Sequence, residues 1–222
     1  MDHSLSPLYQ QLASLAAKYG AKKLVLFGSR ARGDNTPRSD IDLAVYGMPQ
    51  NQQALFWSET DDLDTLLKLD ITYITPGLDQ VFLNNIEKDG VILMDKTLEK
   101  REKLQMALMR LEEALAAYDE TPNTVVRDGV IQRFEFSTEL AWKSAREYLL
   151  DQGYAEINSP KGVLRQSYAD GLISDQTGWL KLLEDRNLTS HIYNEVTAGE
   201  IFQRIRENHL PLLLELSDRL NP

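Results

Sequence analysis

The chain has 222 residues, 42% of them hydrophobic, and a net charge of −10, divided as −5 in residues 1–95 and −5 in residues 96–222. This length suits one large or two small domains, and the acidic balance argues against a protein that wraps nucleic acid, so any RNA contact is expected to be local. Cysteine is absent, which excludes disulfides and thiolate metal sites. No signal-peptide or membrane-spanning pattern occurs, so we expect a cytoplasmic protein without membrane contact.

Helical and strand patterns alternate over the first 95 residues. Residues 5–19 have the spacing of an amphipathic helix, and the apolar run 23–27 predicts a short strand that ends at Gly28. The remaining predicted elements are a strand at 40–46, a helix at 54–67, a strand at 69–74, a helix at 78–88 and a strand at 91–94. This alternation predicts an α/β sheet domain over residues 1–96.

Helical periodicity dominates after Asp95, where no further β-branched runs occur. Apolar residues recur at spacings of three and four, which is typical of amphipathic helices. The predicted helices cover 104–118, 130–150, 159–171, 175–184 and 189–220. We therefore predict an all-α bundle of four or five helices over residues 97–222, and a two-domain protein of the α+β class.

Three aspartates are candidates for catalysis and for metal binding. Asp40 and Asp42 lie at the head of a predicted strand, where residues two apart point to the same face. Such close carboxylates raise each other's pKa unless a cation lies between them, and a donor set of oxygens alone favours Mg²⁺ or Mn²⁺. Asp70 could join them if its strand is the sheet neighbour. Three carboxylates can hold two metal ions, or hold one and deprotonate an attacking hydroxyl.

The turn Gly28-Ser29 is a candidate phosphate site. Glycine lets the main chain approach a ligand closely, and a helix that starts here would direct free N–H groups at an anion. Arg30 would add positive charge, and we include Ser39 among the predicted nucleotide-binding residues. Each pattern alone is more often a simple turn or surface feature, but together they favour nucleotidyl transfer from a nucleoside triphosphate.

Residues 24–43 resemble the signature of the minimal nucleotidyltransferase family, within the DNA polymerase β-like superfamily. The matching residues are Gly28, Ser29, Gly33, Asp40 and Asp42, and Asp70 fits the family's third carboxylate. The resemblance implies that Gly28 and Ser29 contact the triphosphate of ATP or another nucleotide, and that Asp40 and Asp42 bind Mg²⁺ or Mn²⁺. It also implies that Asp70 completes the metal site or acts as the base.

A second candidate site lies in the helical half, at Arg186, His191 and Tyr193. A histidine can act as general acid or base near neutral pH, and an arginine can stabilise a developing phosphorane charge, a pairing that suits metal-independent cleavage of RNA. Residues five apart on one ideal helix lie about 140° from each other. Either a helix starts between Arg186 and His191, with Asp185 or Asn187 as N-cap, or two chains combine their motifs. An ordinary structural pair is the alternative.

Residues 134–143 and 186–195 resemble the nucleotidyltransferase substrate-binding proteins of the HEPN group. In that group Arg-x4-His is a ribonuclease signature, active members are homodimers through the helical domain, and a partner transferase adenylylates the motif tyrosine. The resemblance therefore implies a toxin–antitoxin pair on one chain, with Tyr193 as a candidate acceptor.

Three functions are compatible with these motifs. The first is a Mg²⁺-dependent nucleotidyltransferase, an adenylyltransferase if ATP is its substrate, that modifies Tyr193 or a small-molecule alcohol. The second is a HEPN ribonuclease that uses Arg186 and His191 and is regulated by the fused transferase. The third is a non-catalytic assembly protein in which both sites are vestigial.

Overall fold

The computed structural model describes residues 5–155, 157–189 and 194–221, and it divides into two units, Met1–Lys96 and Thr97–Pro222. Among those described residues, none of the helices combines the length and the apolar character that a membrane span requires.

A four-stranded mixed sheet forms the centre of the N-terminal unit. Its helices are α1 (Ser6–Lys18), α2 (Gly28–Arg32), α3 (Gln50–Asp61) and α4 (Gln80–Asp89), and its strands are β1 (Lys23–Phe27), β2 (Ile41–Tyr46), β3 (Leu69–Ile74) and β4 (Val91–Asp95). The strand order is β3-β2-β1-β4. Strand β1 pairs antiparallel with both β2 and β4, whereas β2 and β3 are parallel. The predicted α/β sheet domain is confirmed.

The two central strands are almost wholly apolar because they are covered on both faces. In β1 the three middle residues, Leu24, Val25 and Leu26, are all buried. Leu12 of α1 and Phe56 of α3 pack into the same core as Leu24 and Leu26. This packing fixes the ends of β1 and β2, from which the candidate site projects.

The predicted helix at 54–67 was misplaced at both ends. Helix α3 begins directly after Pro49, with a first turn of exposed and half-buried polar side chains that carries no apolar periodicity. It ends at Asp61, and residues 62–68 form turns and irregular backbone before the next strand.

The C-terminal unit is helical throughout its regular elements, as predicted. Its helices are α5 (Lys96–Glu120), α6 (Thr124–Asp151), α7 (Pro160–Ala169), α8 (Gln176–Thr189), α9 (Glu195–Arg204) and α10 (Leu210–Leu220). A π-helical turn, Ile205–His209, joins α9 to α10, so the last two helices form one continuous helical segment. Trp179, Phe134 and Phe202 are the largest side chains buried in its core.

Charged groups surround a buried carboxylate where the π-helical turn packs against α8. Asp185 is fully buried and accepts hydrogen bonds from Arg204 Nε (2.6 Å), Arg204 Nη2 (3.1 Å) and His209 Nε2 (2.8 Å). Lys181 Nζ lies 3.4 Å from the same carboxylate, and the Phe134 ring stacks on His209. In the described part of the chain, His209 Nδ1 is buried without a hydrogen-bond partner, an arrangement that suits a neutral imidazole.

Acidification is expected to destabilise this helical unit through His209. Burial lowers the pKa of His209 below 6.5, against the opposing effect of its hydrogen bond to Asp185. The unfolded chain therefore takes up a proton near pH 6.5, whereas the folded chain takes it up only at a lower pH. The contribution of His209 to stability is complete above pH 6.5. Below this pH the free energy of unfolding falls by up to about 1.4 kcal/mol per pH unit, until the folded chain is protonated as well.

The measurement is urea unfolding of the wild type and His209→Gln at pH 7.5 and pH 5.5, followed by tryptophan fluorescence. The glutamine variant should lose less stability than the wild type between these two pH values. Equal losses in both proteins would assign the acid sensitivity to other groups.

Candidate active site

The sheet brings two of the predicted carboxylates together. Asp42 on β2 is in register with Asp70 on the parallel neighbour β3, and it is also the partner of Phe27 at the end of β1. Asp42 is half-buried and Asp70 is exposed. Side chains in register on adjacent strands stand next to each other on one face of the sheet. Asp70 therefore stands beside Asp42, as the sequence predicted on condition that their strands were neighbours.

The environment of Asp42 disfavours its charged form. Burial raises the pKa of Asp42 above its ordinary value, and the negative charges of Asp70 and Asp40 raise it further. Lys68 and Arg32 lower the pKa but do not offset these effects. A carboxylate in such surroundings gains from a cation or a transferable proton nearby, which is what metal binding or general-base chemistry requires.

Asp40 lies one residue before β2, so its side chain is not set by the alternation of the strand. Its Oδ2 lies 3.6 Å from Lys68 Nζ, and the side chain of Lys68 is largely exposed whereas that of Asp40 is half-exposed. Sequence reasoning missed Lys68, although its position two residues before Asp70 puts it at the head of the neighbouring strand. Within the described residues, no three Asp, Glu or His side chains converge as the ligands of one metal ion would. Asp42 and Asp70 supply the oxygen donors that Mg²⁺ prefers. For Asp40 to become a third ligand, its carboxylate would have to leave Lys68 and bind the metal instead.

Gly28 faces the carboxylate of Asp42 directly. Its φ of +70° lies in the left-handed region, and a Cβ at this position would be 2.1 Å from Asp42 Oδ2. Both the backbone conformation and the contact therefore require glycine. Gly28 is the first residue of α2, and half-buried Ser29 follows it. The turn thus lies beside the carboxylates, whereas its binding of phosphate stays a prediction.

The guanidinium of Arg30 is hydrogen-bonded to the main chain of Ser39. Arg30 is 2% exposed, and its guanidinium donates to main-chain carbonyls of the loop before β2, including that of Ser39 at 2.7 Å. The Ser39 hydroxyl accepts from Thr36 N at 2.9 Å and closes a turn in the same loop. The buried guanidinium of Arg30 presents no surface to a phosphate, whereas nucleotide binding by half-buried Ser39 stays a prediction.

The structure describes Arg186 but not the rest of its motif, because His191 and Tyr193 lie outside the described residues. Arg186 Nη2 lies 3.5 Å from Glu139 Oε2, and both residues line a cleft of about 270 Å³ with Trp142 and Lys161. One expectation was wrong. Helix α8 runs through Arg186 to Thr189, so neither Asp185 nor Asn187 caps a new helix. Asn194 caps the next helix, α9.

Comparison with protein families assigns both units. Residues 10–99 match the family described as polymerase beta nucleotidyltransferase. Residues 99–222, more than half of the chain, match the family described as nucleotidyltransferase substrate binding protein like. The chain belongs to this substrate binding protein like family. A match to the polymerase beta nucleotidyltransferase family precedes the substrate-binding domain in the chain, so the fusion that the motifs predicted is confirmed.

Individual known proteins are similar to parts of this chain. A protein of Haemophilus influenzae described as a probable ribonuclease HepT is 33% identical over 84 residues, which are 35% of this chain and 56% of HepT. The chain thus spans about half the length of that curated relative.

Two solved structures also match, each with a TM-score of 0.49. A protein of Thermus thermophilus is 38% identical, and the match covers 54% of this chain and 99% of that one. A protein of Haemophilus influenzae, described as having the fold of a substrate binding domain of a nucleotidyltransferase, is 27% identical, with 55% and 99% covered.

Proposed function

We propose that the N-terminal unit transfers a nucleoside monophosphate from a nucleoside triphosphate, with ATP as the first candidate, to a hydroxyl acceptor in a Mg²⁺-dependent reaction. The observation that carries this proposal is the position of Asp42, beside Asp70 across the parallel strands and directly opposite Gly28. A metal-bound triphosphate requires carboxylates that hold the metal and a main-chain turn that approaches the phosphates, and here a carboxylate pair and a glycine turn lie in contact.

The chemistry follows from these groups. The acceptor oxygen attacks the α-phosphorus of the nucleotide, the bond from that phosphorus to the bridging oxygen breaks, and pyrophosphate leaves. The hydroxyl proton passes to a carboxylate, for which exposed Asp70 is the accessible candidate. A divalent cation held by Asp42 and its neighbours would neutralise the charge that develops on the phosphates.

Metal removal tests this proposal. Wild-type protein incubated with ATP and Mg²⁺ should release pyrophosphate, and excess EDTA should stop the release. Restoring Mg²⁺ or Mn²⁺ should restore it, since both ions prefer oxygen ligands. Pyrophosphate release that continues in EDTA would overturn the metal requirement.

Tyr193 is the proposed acceptor, on the strength of the motif shared with the substrate-binding family. Incubation with ATP and Mg²⁺ is expected to add AMP to the protein, visible by intact mass as one or more adenylyl groups. Tyr193→Phe should abolish the addition, whereas Tyr168→Phe, which removes an exposed tyrosine of the helical unit, should not. Addition that persists in Tyr193→Phe would point to a different acceptor, such as a small-molecule alcohol.

The second candidate function is a ribonuclease regulated by the transferase, favoured by the similarity to a probable ribonuclease HepT. Arg186 and His191 would act on RNA, and a homodimer through the helical unit would combine two copies of the motif. Exposed Met106 and Phe136 line an apolar groove suited to such contacts. Growth arrest on overexpression that is lost in His191→Ala and stronger in Asp42→Asn would support this function. Normal growth of all three strains would oppose it.

A further inference from the structure

Arg30 is a charged side chain that is almost wholly buried. Only 2% of it is exposed, although it belongs to the five-residue helix α2 next to the candidate site. A buried guanidinium is costly unless its N–H groups are satisfied. The partners of Arg30 therefore indicate what this position does.

The partners of Arg30 are all main-chain carbonyls of one short segment, residues 37–40. Nε donates to the carbonyls of Ser39 (3.0 Å) and Asp40 (3.1 Å), and Nη2 donates to those of Ser39 (2.7 Å) and Pro37 (3.3 Å). The planar fork of arginine can reach several acceptors in this way, which the single ammonium of a lysine cannot reproduce.

The segment that Arg30 holds leads directly into the carboxylates. It has no regular secondary structure of its own before β2 begins at Ile41. Ser39 N donates to Thr36 O at 3.1 Å, and Ile41 N donates to Lys68 O at 2.9 Å, so both amides report on the geometry of the segment. Asp40 is the last residue of this segment before the strand, so the position of its carboxylate depends on the segment as well as on the sheet.

We infer that Arg30 is a positioning residue, which fixes the main chain of residues 37–40 and thereby holds Asp40 at the reaction site. Its guanidinium does not bind the triphosphate, because its donors face the loop and its surface is covered. The inference rests on the proposed function for the role of Asp40, while the contact with the loop is independent of it.

The test compares Arg30→Lys and Arg30→Met with Arg38→Lys, a control on an exposed arginine of the same segment. Hydrogen exchange of the Thr36, Ser39 and Ile41 amides is measured without metal or nucleotide, and Mn²⁺ binding is measured by titration. Both Arg30 variants should exchange these amides at least tenfold faster and bind Mn²⁺ about 10- to 100-fold more weakly, as is usual when the support of a metal ligand is lost. Their kcat should fall while KM for ATP stays within about threefold, since no triphosphate contact is removed.

A raised KM for ATP with unchanged amide exchange and Mn²⁺ binding would overturn the inference. If neither variant folds, the Arg30 Nε–H of the wild type is followed by NMR as ATP is added. The inference predicts that this proton stays protected from exchange and that its resonance does not shift, whereas an ATP-dependent shift would indicate a nucleotide contact and overturn it.

Failure of the proposed function gives a different result, because the wild type would then transfer no nucleotidyl group, whatever its amide exchange.

Discussion

Asp42→Asn is expected to lower the rate of nucleotidyl transfer by at least about 100-fold, the loss typical of removing a metal ligand or general base. The substitution keeps the size of the side chain and removes its charge. Because burial and the charges of Asp70 and Asp40 raise the pKa of Asp42, the ionised carboxylate is unfavourable in the metal-free fold. The free energy of unfolding of the metal-free variant should therefore equal or exceed that of the wild type.

The matched control for this change is Asp34→Asn. Asp34 is an exposed aspartate of the loop between α2 and β2 and pairs with Arg32 at 3.2 Å. Its replacement should leave transfer close to the wild-type rate, because exposed ion pairs contribute little. An Asp42→Asn variant that transfers label within about threefold of the wild type would exclude Asp42 from the chemistry.

Gly28→Ala should reduce transfer by about 100-fold, since a misplacement of about 1 Å in an active site can cost that much. The added Cβ would meet Asp42 Oδ2 at 2.1 Å, so either the carboxylate or the turn must move. The rate is measured with labelled ATP, and stability is measured on the same samples by thermal unfolding.

Gly33→Ala separates backbone strain from this clash. Gly33 has a φ of +81°, close to the +70° of Gly28, but a Cβ there would meet no atom within 4 Å. Both alanine variants should therefore lose about 1–2 kcal/mol of stability from the left-handed conformation, whereas only Gly28→Ala should lose most of its activity. Equal activities in the two variants would mean that the contact with Asp42 is unimportant.

The elements of the sheet could be predicted because their signals are local. Apolar runs define β1, β2 and β3, and Gly28 ends the first of them. The position of Asp70 beside Asp42 depends on parallel pairing of β2 and β3, which no local pattern specifies. The sequence could therefore predict it only on the condition that the two strands are neighbours.

The burial of a side chain and its long-range partners could not be predicted from the sequence, for the same reason. Arg30 in a glycine-serine turn has the composition of a phosphate site, and only the fold shows that the loop covers it. Asp185 was considered as a helix cap, whereas it lies inside α8 and binds Arg204 and His209. The π-helical turn that delivers His209 has no signature in the sequence.

The fate of the α-phosphate tests the central claim most directly, namely that the carboxylates opposite Gly28 catalyse nucleotidyl transfer. ATP labelled at the α-phosphate and ATP labelled at the γ-phosphate are each incubated with wild type and with Asp42→Asn in the presence of Mg²⁺. We predict that the wild type moves the α-label to the acceptor and releases the γ-label as pyrophosphate, and that Asp42→Asn does neither. Transfer of the γ-label to the acceptor, or equal transfer of the α-label by both proteins, would contradict the claim.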